Sequence, residues 1–498
     1  MPGEDALIGV DLGTTAVKVV ASALDGREVA EATERYALST PHPGFVEQDP
    51  NEIYRAAMRS LARVLAEVTG RGDRPVAIGF SAAMHGLIAV DVRGEPISPL
   101  INWMDRRSAN VADRWHADGT AARLYQRTGA PMHPMLPLCK LRWLSEHDPE
   151  LFARTARFVG IKELFVHRWT GEWLVDEAIG TATGMLDTRT RTWDPEALAC
   201  ARIGPERLST PAPCSTKRDF ARSQVAGTLG IDPKTAIVLS SSDGALANLG
   251  IGGIGHDLLA LTLGTSGALR IVSPEPALDP NGRTFCYVFD DDRWLIGGPT
   301  SSAGAVLEWL FALVLDDVAP EDRFERATGL AEAIGPGAEG LTMLPFLSGE
   351  RAPYWRADLR GELVGLDLSH DRRHLVRAAF EGVVFGLLAV QHVIRGLTGD
   401  PQAILLSGGL THAAFVRQMI ADVFGIETRL PDRPEASAFG AAMSAGLAIG
   451  AIGSLNDVAA LIHYTDIYRP NRALIEAYRE AFTRYQKSVK ALTQTADD

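Results

Sequence analysis

The segment Ile8-Gly9-Val10-Asp11-Leu12-Gly13-Thr14-Thr15 has a counterpart 251 residues later, Leu259-Ala260-Leu261-Thr262-Leu263-Gly264-Thr265-Ser266. Each copy is an apolar, strand-like run that enters Leu-Gly-Thr and then Thr or Ser. The spacing is about half of the 498-residue chain. It predicts two similar α/β halves, residues 1–250 and 251–498, facing each other about a hinge near residue 250. A ligand cleft is expected between them, because domain interfaces favour such sites.

Strand-like and helix-like segments alternate along the rest of the chain. Asp25-Gly26 marks a turn. Asp49 caps a helix to about residue 68, with Pro50 at its first position and Glu52 completing a capping box. Residues 76–80, 86–90 and 236–239 read as strands, and 108–183 as mostly helical. In the second half, strands are expected at 258–263, 269–272 and 403–406, and helices at 371–395, 412–424 and 436–449. Residues 436–456 carry no charge and are long enough to span a bilayer. Their Ala, Gly and Ser content, with Gly440, Gly446, Gly450 and Gly453, predicts instead a buried helix ending near Gly450.

Lys plus Arg number 49 against 62 Asp plus Glu, a formal charge of −13. Such an acidic chain is a poor partner for nucleic acid. Cys139, Cys200, Cys214 and Cys286 show no CxxC spacing, so four reduced thiols in a cytoplasmic protein are expected. The acidic start, Met1-Pro2-Gly3-Glu4-Asp5, lacks the basic region of a signal peptide, and neither it nor the rest predicts a membrane partner. A G-x-x-x-x-G-K-[ST] loop is absent. Gly250, Gly252 and Gly255 fit G-x-G-x-x-G, but they leave a helix and enter a strand, the reverse of a dinucleotide fingerprint.

The repeated turns carry the better phosphate chemistry. A glycine in a tight turn after a strand brings backbone N–H groups close to a phosphate. Thr14 and Thr15 add hydroxyls to the first turn, and Gly264 and Thr265 form the second. Asp11, at a strand end, is a candidate Mg²⁺ ligand, since magnesium prefers carboxylate and water oxygens. Ser407-Gly408-Gly409-Leu410 leaves a third strand, where adjacent glycines let a base or ribose lie against the backbone.

These three elements together resemble the actin, heat-shock and sugar-kinase superfamily. Two longer stretches narrow the resemblance to the FGGY carbohydrate kinases. Met135-Leu136-Pro137-Leu138-Cys139-Lys140-Leu141-Arg142-Trp143-Leu144-Ser145-Glu146-His147 fits the family's first signature. Gly361-Glu362-Leu363-Val364-Gly365-Leu366, followed by His374-Leu375 and Ala378-Ala379-Phe380-Glu381, fits the second. The resemblance covers about residues 6–490. It implies an α/β fold of two ribonuclease-H-like domains around a central cleft, binding ATP, Mg²⁺ and a polyhydroxy substrate. It also implies Asp243 as catalytic base, Asp11 as the phosphate-loop carboxylate, and Gly304, Gly408 and Gly409 as nucleotide contacts. Ala413 stands where some relatives place a polar side chain on the adenine.

The family resemblance also points to the sugar. Met84-His85 is similar to the sugar-contacting pair of xylulose and gluconate kinases, where glycerol kinases have Arg-Glu. Asn102-Trp103-Met104-Asp105-Arg106-Arg107-Ser108 matches the sugar wall, with Trp103 as platform and Asp105 as hydroxyl acceptor. Three stretches are more similar to gluconate kinases than to xylulose kinases: 127–134, 160–163, and 285–287 with 294–299. Many gluconate kinases carry Ser in place of Gly86 and Asn in place of Arg106. Only seven of the 49 basic residues are Lys, and Lys162 or Arg106 is expected to neutralise a substrate carboxylate. The implied reaction is ATP-dependent phosphorylation of D-gluconate to 6-phosphogluconate. The alternatives are a kinase of xylulose, another pentulose or another sugar acid, and a non-catalytic ATP-binding switch. The helical segment 471–492 is expected to pack either on its own domain or on a second copy in a homodimer.

Overall fold

The computed structural model describes residues 3–220, 223–432 and 436–495. The chain forms two compact units, neither continuous in sequence. The first holds residues 1–254, 272–295 and 435–462, and the second 255–271, 296–434 and 463–498. The crossing expected near residue 250 is therefore one of several.

In the first unit, β1 (Asp5–Leu12), β2 (Ala16–Ala23) and β3 (Glu28–Arg35) form an antiparallel meander. The helix Pro50–Gly70 follows, and Asp49 caps it by accepting from the Asn51 N–H at 2.8 Å. Its Ile53, Leu61, Val64 and Val68 are buried in the core that includes Val17, Val19 and Ala21 of β2. β4 (Arg74–Ala82) pairs parallel with β1. β5 (Lys217–Arg218) and β6 (Ala236–Val238) complete the sheet in the order β5-β6-β4-β1-β2-β3, with β6 parallel to β4. The three parallel strands end on one edge: Asp11 lies beside Ser81, and Val238 beside Gly79. In open α/β sheets, ligands bind beyond the carboxyl ends of such strands.

The charge-free stretch forms the helix Ala436–Ala448, which lies on this sheet. A Cβ on Gly9 of β1 would sit 1.8 Å from the Ala438 carbonyl oxygen, and one on Gly79 of β4 2.2 Å from that of Ala441. Only glycine allows that approach. Burial against the sheet, rather than a bilayer, accounts for the missing charge.

The second unit repeats the plan. β7 (Leu258–Leu263), β8 (Gly267–Ser273), β9 (Trp294–Thr300), β10 (Ala403–Ser407), β11 (Glu427–Pro431) and β12 (Tyr464–Tyr468) run in the order β9-β8-β7-β10-β11-β12. β7 is antiparallel to β8 and parallel to β10, as β1 is to β2 and β4. This is the duplicated fold expected from the repeat.

Among the described residues, one helix, Arg372–Thr398, is long and apolar enough to cross a membrane, and it is the largely buried core helix of this unit. The C-terminal helix Ile475–Thr495 packs on it. Phe482 and Tyr485 contact Phe385, and Arg377 donates to the Tyr478 hydroxyl at 2.6 Å. Of the two placements open to this helix, the structure shows packing on its own unit. All four cysteines are free thiols.

Candidate active site

The first glycine turn, between β1 and β2, is held from several sides. The Gly13 N–H donates to the Ala16 carbonyl at 3.1 Å, and the Tyr36 hydroxyl donates to the Gly13 carbonyl. Gln48 Nε2 donates to the Thr14 carbonyl at 2.9 Å, and Trp103 Nε1 to Thr14 Oγ1 at 2.9 Å. Asn102 Nδ2 in turn donates to Gln48 Oε1 at 2.6 Å. Burial, with the Asp11 carboxylate nearby, pushes the Tyr36 phenol well above its usual range, so it stays a neutral donor. Asp11 Oδ1 accepts from Ser81 Oγ at 2.6 Å. Its Oδ2 faces the turn, 3.8 Å from where a Gly13 Cβ would be.

The Trp103–Thr14 bond joins the expected sugar wall to this turn. Gly13, Met84 and Trp103 line one small cavity with Gln48 and Asn102. His85 lines an adjoining small cavity. Its backbone is left-handed, φ 67°, and its Nδ1 lies 2.7 Å from the Ala182 carbonyl oxygen. A carbonyl can only accept, so Nδ1 carries the proton.

Two expected sugar contacts have other partners. Asp105 is 1% exposed. Its Oδ1 accepts from the N–H and Nε of Arg107 at 3.0 and 2.9 Å, and its Oδ2 from the Val46 N–H and Arg107 Nη2 at 2.7 and 2.8 Å. These four bonds fill the carboxylate's acceptor positions, so Asp105 braces the wall rather than receiving a sugar hydroxyl. Lys162 is 3% exposed. Its ammonium lies 2.7 Å from Asp176 Oδ2 and contacts the carbonyls of Phe80, Leu239 and Ser241 at 3.3, 3.0 and 2.7 Å. Its three N–H donors are thereby engaged, and it is not a substrate-carboxylate contact. Arg106 is exposed, and its N–H donates to the Gly44 carbonyl at 2.7 Å.

Asp243 opens the helix Asp243–Gly250 directly after β6. The cap is Ser242, whose Oγ accepts from the Ala245 N–H at 3.4 Å. Asp243 therefore occupies the first helical position and is only partly buried. Its Oδ1 accepts from the Gly244 N–H at 2.7 Å.

In the second unit, Gly264, Thr265, Gly304 and Gly409 line one cleft of about 640 Å³, with Leu307, Phe311 and Phe324 as apolar wall and Glu308 and Arg323 as polar groups. Gly304 begins the helix Gly304–Val314. Its N–H donates to the Gly264 carbonyl at 3.0 Å, and that of Ala305 to the Thr265 carbonyl at 3.1 Å. A Cβ on Gly304 would lie 2.6 Å from the Gly264 oxygen. Gly408 precedes Gly409 at the end of β10. The dimensions and apolar wall suit a nucleoside, and the glycine turn and helix start suit its phosphates.

Among the described residues, no group of three His, Cys, Asp or Glu side chains forms a metal cage. A magnesium ion carried by nucleotide phosphates needs only one or two carboxylates, which Asp11 fits.

Sequence reasoning missed Tyr36 and Gln48, which hold the first turn, the bond by which Asn102 orients Gln48, and the role of Lys140. Lys140 is fully buried, and its ammonium donates to the carbonyls of His85, Ile101 and Asn102 at 2.6, 3.2 and 2.8 Å. The signature containing Lys140 marked the residue but not its partners.

Residues 6–250 match the N-terminal domain, and residues 259–449 the C-terminal domain, of the FGGY family of carbohydrate kinases. A gluconokinase of Bacillus licheniformis is 36% identical over 98% of this chain and 96% of its own. Two solved structures from Lactobacillus acidophilus, each 32% identical and each matched over 98% of both chains, are a ligand-bound xylulose kinase, TM-score 0.93, and a gluconate kinase, TM-score 0.92.

Proposed function

Because the chain belongs to the FGGY family of carbohydrate kinases, which transfer phosphate to a sugar, we propose that it is an ATP-dependent gluconokinase converting D-gluconate to 6-phosphogluconate. The observation that carries this choice of sugar is its 36% identity to a gluconokinase over nearly the whole chain. The stretches 127–134 and 160–163 agree with it.

In the proposed mechanism, Met84, His85 and Trp103 hold the polyol in the first unit. Asp243 orients the terminal hydroxyl and takes its proton as the oxygen bonds to the γ-phosphorus. The bond from that phosphorus to the bridging oxygen breaks, and ADP leaves. A placed base of this kind contributes ~10²–10⁴ in rate. The backbone of Gly13, Thr14 and Thr15, and that of Gly264 and Thr265, holds the phosphates. Gly304, Gly408 and Gly409 receive the nucleoside side. Asp11 would hold Mg²⁺, which offsets phosphate charge when bound. With Lys162 engaged elsewhere, Arg106 is the cation assigned to the gluconate carboxylate. The enzyme works in the cytoplasm.

A xylulose kinase is the second reading, favoured by the similarity to a ligand-bound xylulose kinase structure. ADP release with ATP and Mg²⁺ separates them when D-gluconate, D-xylulose and no sugar are compared. Turnover with gluconate alone is expected. Turnover with xylulose alone overturns the choice of sugar. Arg106→Ala is expected to lose the preference for the acid, and an unchanged preference removes Arg106 from that role.

A further inference from the structure

Two buried lysines each gather three main-chain carbonyls from chain-remote segments, and every one of those segments enters the proposed site. Lys162 gathers Phe80, Leu239 and Ser241. Phe80 lies in β4, just before Met84-His85. Leu239 and Ser241 bracket Ser240, whose φ of 55° is left-handed, and lead directly into Ser242-Asp243. Lys140 gathers His85, Ile101 and Asn102. His85 is itself left-handed, and Asn102 precedes Trp103 on the wall.

Left-handed backbone at a non-glycine residue is strained, and it persists only where the surroundings over-determine it. Here, a lysine ammonium engages the strained residue's own carbonyl at His85 and both flanking carbonyls at Ser240. An ammonium offers three donors from one atom and accepts nothing, so it can collect carbonyls that cannot bond one another. Burying one without a purpose is costly.

The two clamps are also connected. Asp176 Oδ2 pairs with Lys162, while its Oδ1 accepts from the Ile179 N–H at 2.9 Å and caps the helix Glu177–Ala182. That helix ends at Ala182, whose carbonyl receives the His85 Nδ1 proton. Lys140 forms no ion pair among the described residues. Asp105, Arg107 and Cys139 are the ionisable groups acting on it, and burial pushes its ammonium down to about 7.

We propose that Lys162 and Lys140 are paired positioning residues, Lys162 fixing the turn that presents Asp243 and Lys140 fixing the sugar wall formed by His85 and Trp103. This rests on the reading of Asp243 as the base and of His85 and Trp103 as sugar contacts.

The two lysines should separate in steady-state kinetics. Lys162→Met is expected to lower kcat by about tenfold or more, with sugar KM nearly unchanged. Lys140→Met is expected to raise sugar KM by about tenfold or more, with kcat nearly unchanged. The ATP KM should hold in both. Lys→Gln at either position keeps N–H donors and is expected to recover part of the loss, and it carries the same criteria where a Met variant does not fold. Folded variants with wild-type kcat and KM overturn the proposal. So does an equal loss from both lysines that merely follows the folded fraction in a thermal melt. Asp243→Asn is run beside them. If it retains turnover, the base reading fails. If it is inactive while Lys162→Met or Lys162→Gln keeps full kcat, the positioning proposal fails.

Discussion

Replacing Gly304 with alanine tests the proposed nucleotide cleft where the helix start meets the Gly264 turn. The new Cβ would lie 2.6 Å from the Gly264 carbonyl oxygen and 3.4 Å from Thr265 Cα. A carbon–oxygen contact settles at about 3.3 Å or more. The helix start and the second phosphate turn must therefore separate by roughly 0.7 Å, the difference between that contact and the 2.6 Å approach. That loosens the 3.0 Å bond from the Gly304 N–H to the Gly264 carbonyl, worth about 1 kcal/mol. Overpacking adds ~1–3 kcal/mol. The sum, about 2–4 kcal/mol, falls on the turn assigned to the phosphates. Taken fully by the transition state, it lowers kcat/KM for ATP by roughly 30- to 700-fold. The assay is ATP-dependent turnover at saturating sugar, beside a thermal melt. Gly409→Ala is the matched control, because its Cβ would meet no heavy atom within 4 Å. It is expected to leave the melt unchanged while raising the ATP KM. An unchanged kcat/KM for ATP in Gly304→Ala refutes the assignment of this cleft to the nucleotide.

Asp105→Asn takes from Arg107, whose side chain is 6% exposed, one of its two carboxylate partners and leaves Glu47 at 2.5 Å. With Glu47 still paired to Arg107, the expected cost is that of lost charged hydrogen bonds, ~1.5–3 kcal/mol of stability, read from chemical denaturation; a change in sugar KM at full stability would make Asp105 a sugar contact after all. Lys140 titrates near 7 in the fold against 10.5 in the unfolded chain. Across that window the unfolded chain binds the extra proton, so this group's contribution to stability rises with pH, while below about 7 both states are protonated. Sugar binding should weaken over the same range, KM rising from about pH 6 to 8.5 as the ammonium loses a donor. A KM rise of the same size in Lys140→Met removes Lys140 as its origin.

The two glycine turns were legible because a strand running into Leu-Gly-Thr is a local pattern, and its repetition predicted a duplicated sheet. Asp11 was singled out by its place at the end of an apolar strand, and Asp243 by the resemblance to the family. Lys162 was not. Its scarcity marked it as unusual, but its role depends on carbonyls from β4 and the turn after β6, together with Asp176, none near it in sequence. Asp105 was misread likewise, since Val46 and the conformation of Arg107 fill its oxygens. The helix Ala436–Ala448 was legible as buried, yet its partners in β1 and β4 lie more than half the chain away. Choosing between gluconate and xylulose turns on a few side chains within one shared fold.

The most direct test is turnover of Asp243→Asn with ATP, Mg²⁺ and gluconate, with binding of both substrates measured separately. Retained binding with turnover reduced by about 10²-fold or more is expected for loss of a general base. Near-normal turnover would contradict the assignment of Asp243.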